Sequence, residues 1–84
     1  DYMSHIYAAV GSITTATRLA RELERRGTAA AVTHTPSQMN KGGCSYSVKV
    51  KSADRAMLEQ AAADRRVRLR AIIGSDGERY YDLS

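Results

Sequence analysis

An α+β fold, with two helices on one face of an antiparallel four-stranded sheet, follows from the order in which two hydrophobic periods succeed each other. His5 to Val10 alternates with period two, and Ile13 to Leu23 then repeats at helical spacing. The same switch recurs between the alternating run 44–51 and the apolar stripe within 53–66.

The first strand sets Ile6, Ala8 and Val10 on one side and His5, Tyr7 and Ala9 on the other, and Gly11 and Ser12 end it. In the first helix, Ile13, Ala16, Leu19, Ala20 and Leu23 form the apolar stripe. Ser12 or Thr14 is placed to cap its first turn, Gly27 to end it, and Glu22 to pair with Arg26 one turn on. Residues 28–35 read as a second strand stopped by Pro36, which cannot continue a ladder. The run PSQMNKGG, residues 36–43, has the composition of a loop. Cys44, Tyr46, Val48 and Val50 then alternate with Ser45, Ser47, Lys49 and Lys51 as a third strand.

Ser52 precedes a second helix expected over 53–66, with Met57, Leu58, Ala61 and Ala62 as its apolar stripe. Val67, Leu69, Ala71 and Ile73 alternate as a fourth strand; GSDG at 74–77 predicts a turn, and residues 78–83 an extra short C-terminal strand. The order is βαββαβ with a tail. Right-handed crossovers fold it into the ferredoxin-like arrangement, leaving the second face of the sheet open.

With 84 residues, the chain has room for one domain, expected over 3–84. One cysteine excludes an intramolecular disulfide framework, and a lone thiol behind no recognisable leader predicts the reducing cytoplasm. No apolar run approaches the ~18 residues of a membrane span. The net charge of +4 and pI near 9.6 raise the question of nucleic acid. Arg25, Arg26, Arg65 and Arg66, however, end the two expected helices, where cations offset the negative helix terminus.

The single thiol is the most informative residue. In the expected topology Cys44 opens the third strand beside the end of the first, near Gly11 and the amides that begin the first helix. A helix start stabilises a thiolate, lowering its pKa below the reference of about 8.5. Lys41 adds charge, Ser12 and Thr14 offer hydroxyls, and Gly42 and Gly43 clear space for an approaching partner. A second reading stands beside this one: Cys44 shares the parity of Tyr46, Val48 and Val50, so it equally fits a first core residue.

A strand ending in a small polar turn, a helix running to Gly27, then THTP, a loop, Cys44 and an alternating strand resemble the selenium/sulfur carrier protein-like family. The resemblance covers 6–73. It implies a ferredoxin-like fold, Cys44 as the atom carrier, Pro36 as the marker of its loop, and donor and acceptor proteins as partners. The family's usual glycine after the cysteine is here Ser45. A carrier thiolate takes sulfur or selenium from a donor persulfide and passes it on, without a cofactor and without a second cysteine. Whether the chain turns over a substrate as an enzyme is left open by this role.

Two other classes compete. RNA-recognition domains share the βαββαβ order and bind bases on the open sheet face. Here Ser45 and Ser47 would occupy that face and stacking would rest on Tyr7 alone, which disfavours nucleic acid. The other class is an interaction or regulatory module, a homodimer through the open face or through the tail with Tyr80, Tyr81 and Leu83. His5, His34 and Cys44 have no metal-ligand spacing, so no metal is expected.

Overall fold

The computed structural model describes residues 3–39 and 46–84. Five strands, β1 (His5–Val10), β2 (Ala31–His34), β3 (Tyr46–Lys51), β4 (Ala71–Ser75) and β5 (Tyr80–Asp82), form one antiparallel sheet. Their order is β2-β3-β1-β4-β5. The first four strands stand as two interleaved βαβ units require, and β5 extends the ferredoxin-like order by one strand through a hairpin from β4.

Two helices, α1 (Ile13–Arg25) and α2 (Arg55–Asp64), cover one face. Register sets Ile6 opposite Val50, Ala8 opposite Val48 and Ile72, and Val10 opposite Tyr46, so these side chains share that face. Ala16, Leu19 and Leu23 of α1 and Leu58 and Ala61 of α2 close over them, fully buried. Each such large aliphatic side chain contributes about 1.5–3 kcal/mol through burial.

Helix ends follow local chemistry. Ser12 is the N-cap of α1: its backbone is extended (φ −158°), and its Oγ accepts from the Thr15 amide at 3.1 Å. Gly27, at φ 84°, takes the left-handed position that ends the helix. The expected Glu22–Arg26 pair forms at 2.8 Å, and Arg26 also reaches Asp64 at 2.7 Å, tying the two helices together.

Several expectations are corrected. Strand β2 begins at Ala31 rather than Thr28. Ser52 does not cap α2: its hydroxyl donates to the Met3 carbonyl at 2.7 Å, and a 3-10 turn at Ser52–Asp54 leads into a helix that starts at Arg55. Ile13, at 51% exposed, and Met57 lie at the rim of the core rather than in it. Residues 67–70 are not strand. Val67 and Leu69 still pack on the core, but β4 starts at Ala71 and includes Gly74 and Ser75, so the turn shifts to Asp76–Arg79.

The largest correction concerns the second face. Ala9, Ser47 and Ile73 point away from the helices by register, yet they are 1%, 0% and 1% exposed. The chain after β2 turns over this face instead of projecting from the sheet end. Thr35 Oγ1 shares a buried hydrogen bond of 2.7 Å with Ser47 Oγ, and the 3-10 turn Ser37–Met39 carries Met39 to a cavity lined also by Ala9, Ala71, Ile73 and Asp82. One half of the face expected to be open is therefore covered.

Candidate functional site

The site expected around Cys44 has described and undescribed parts. Lys41, Gly42, Gly43 and Cys44 lie in 40–45, outside the described residues. The residues that flank this segment are described, and they converge on one end of the sheet. Tyr46 stands opposite Val10, His34 stands opposite Tyr46, and Val10 leads through Gly11 into the cap of α1.

At this end Ser12, Thr14 and Pro36 are in place. Ser12 Oγ, besides capping Thr15, donates to Thr15 Oγ1 at 3.0 Å, so its proton is committed within the turn. Thr14 is exposed on the first turn. The Ser12 carbonyl accepts from Ala16 and its side chain satisfies Thr15, which leaves the Ile13 and Thr14 amides as the outward donors of α1. No acidic residue stands in that first turn to neutralise the positive helix end. Pro36 follows Thr35, whose bond to Ser47 pins the start of the loop against β3.

The His34 and Tyr46 rings lie 5.0 Å apart at this same strand end, with planes tilted by 31°. Their position on β2 and β3 makes a firm edge beside the segment that enters β3.

One cation here escaped the sequence reading. Arg70 donates its backbone amide to the Ala9 carbonyl at 2.8 Å. Its guanidinium packs on Gly11, where a Cβ would come within 3.1 Å of Nη2. Nothing in the local pattern announces this contact. It exists because β4 pairs with β1 and brings the residue before Ala71 to the end of β1. Among the described residues no group of three His, Cys, Asp or Glu side chains is arranged to hold a metal ion.

The arrangement is one sheet end carrying a helix start and an arginine, with the thiol-bearing segment joined to it through Tyr46. The family whose model matches residues 5–73 is described as Putative Se/S carrier protein-like. The chain belongs to this Se/S carrier-like family. The match takes in β1 through most of β4, including the segment with Cys44. No curated protein and no solved structure matches the chain. Membership in a carrier family implies a donor and an acceptor of the carried atom. Among the described residues, no helix of this family member is long and apolar enough to cross a membrane.

Proposed function

We propose that Cys44 is the carrying atom's attachment point, holding sulfur as a persulfide or selenium as its selenium analogue between a donor and an acceptor protein. The observation that carries this reading is the family match across 5–73, which contains the chain's one cysteine. The geometry at the end of β1 is in keeping with it, since the start of α1 and Arg70 both favour an anion there.

In the loading step the Cys44 thiolate attacks the terminal sulfur of a donor persulfide, R–S–SH. A new S–S bond forms on Cys44 while the donor's S–S bond breaks, and the donor cysteine leaves as a thiolate. The terminal sulfur keeps its proton, and no external oxidant or reductant is consumed. Unloading is the same exchange with the acceptor as nucleophile. A second cysteine in the chain would divert the load into a disulfide, and there is none. Lys41, Gly42 and Gly43 belong to this reading as charge and clearance next to the thiol.

The test is to mix the protein with a persulfide donor and weigh it intact. One added sulfur atom that Cys44→Ser abolishes is the expected result. Native Cys44 should also react with iodoacetamide faster at neutral pH than a model thiol of pKa about 8.5, with Lys41→Ala slowing it. A chain that stays unloaded under conditions where the donor transfers to a small thiol overturns the proposal.

A further inference from the structure

The half of the second sheet face that the Ser37–Met39 turn leaves uncovered has a composition of its own. His5 and Tyr7 of β1, Lys49 and Lys51 of β3 and Tyr80 of β5 share it by register. The Tyr7 and Tyr80 rings meet edge to face at 5.9 Å and 72°, and Lys49 Nζ stands 5.6 Å from the Tyr7 centroid. Among the described residues, no carboxylate pairs with Lys49 or Lys51; the ion pairs formed there join helical arginines to Glu22, Glu59 and Asp64.

We propose that this surface binds single-stranded nucleic acid, with Lys49 and Lys51 on phosphates and the rings of Tyr7 and Tyr80 on bases. Two features favour that occupant. The second aromatic ring the sequence lacked, with Tyr7 alone, is supplied by β5, which brings Tyr80 from the far end of the chain onto the same face, crossed at 72° to Tyr7. The patch is also small. Half of a face no larger than 30 × 29 Å is on the order of 400 Å², about half of what each partner contributes to a stable protein interface. Two or three stacked nucleotides are about the load a sheet of this kind carries. Lys49 and Lys51 lie two residues apart on one strand, so their ammonium groups follow an extended backbone along β3.

The experiment is fluorescence anisotropy with a labelled oligouridylate about ten nucleotides long, a matching deoxythymidylate, a duplex of equal length and a polyglutamate peptide. The expected result is binding of the single strands in preference to the duplex. A fourfold rise in salt should weaken it by roughly sevenfold, from a slope of about 0.7 per contacted phosphate and two phosphates. Lys49→Ala and Lys51→Ala should each weaken binding and flatten that dependence. Tyr80→Leu should cost at least about fivefold and Tyr80→Phe should restore it, since a phenyl ring keeps the stacking face. Circular dichroism shows that each variant is folded. Equal affinity for both sugars supports the proposal for either nucleic acid, and a preference names which one.

Absence of binding at low salt overturns the proposal, as does equal binding to duplex with Tyr80→Leu indifferent. Polyglutamate that binds as tightly as the oligonucleotide, again indifferent to Tyr80→Leu, assigns the patch to an acidic protein and overturns it too. Sulfur loading on Cys44 is measured separately, so either result stands without the other.

Discussion

The two faces of the sheet are built on different terms. The helix-covered face is a continuous aliphatic layer, in which Leu19, Leu23 and Leu58 meet Val48, Val50 and Ala8 with no exposed atoms of consequence. The other face is divided: toward the end of β1 it is sealed by the turn after Thr35, and toward the start of β1 it carries His5, Tyr7, Lys49 and Lys51. On the first face, burial comes from hydrophobic patterning. On the second, it comes from one hydroxyl pair and a turn, so a polar residue, Ser47, is as deeply buried as any leucine. A single sheet thus spends one face on stability and divides the other between holding a loop and presenting charge.

Removing apolar volume from the first face should cost most. Leu19→Ala takes a fully buried side chain from the centre of the helix layer and should destabilise the fold by about 2–5 kcal/mol. Against a total of about 5–15 kcal/mol for a typical domain, that removes a large share of the stability and should lower the unfolding midpoint markedly. Urea titration measures it.

On the second face the sensitive element is polar. Ser47→Ala strands the Thr35 hydroxyl beneath the turn and should cost about 1–3 kcal/mol. The paired change Thr35→Val with Ser47→Ala removes both hydroxyls and should recover most of that loss, because nothing buried is then left unsatisfied. If Ser47→Ala proves neutral, the pair is solvated and the contrast between the faces fails.

How much of this could be read beforehand divides along the same line. Parity along residues 5–10 and 46–51 announced the helix-side core, because a strand with one face against aliphatic groups must alternate. Parity also misassigned Ile73 to that core, since Ile72 and Ile73 are both buried, one on each face, and a strand covered on both sides carries no alternation. Ser47 read as exposed because its cover is a turn from elsewhere in the chain. Arg70 and Tyr80 join their neighbourhoods through β1–β4 and β4–β5 pairing, which no local pattern encodes. Beside the segment that holds Cys44, the helix start at Ser12 was legible from the small polar residues that follow β1; the bond of the Ser12 hydroxyl to Thr15 was not.

The smallest effect expected is on the bridge between the helices, and it is visible only against pH. Glu22 is held below the usual carboxylate range by its hydrogen bonds from Arg26 and then Arg25, and Asp64 by Arg26 and then Gln60. Arg26 in turn is raised, by Asp64 first and Glu22 second. Both carboxylates are depressed in the folded state, so their contribution is present above the ordinary carboxylate value, about pH 4, and is lost as pH falls through the lowered ones. Arg26→Ala should therefore melt below the wild type at neutral pH, and the gap should close as both are titrated into acid. The Asp64 carboxylate is exposed and the Glu22–Arg26 pair only partly covered at the surface, so solvent screens the bridge and the gap is modest at any pH. A gap that stays constant into acid would mean that Arg26 acts through the packing of its aliphatic stem, and that the helix layer is held by apolar contact alone.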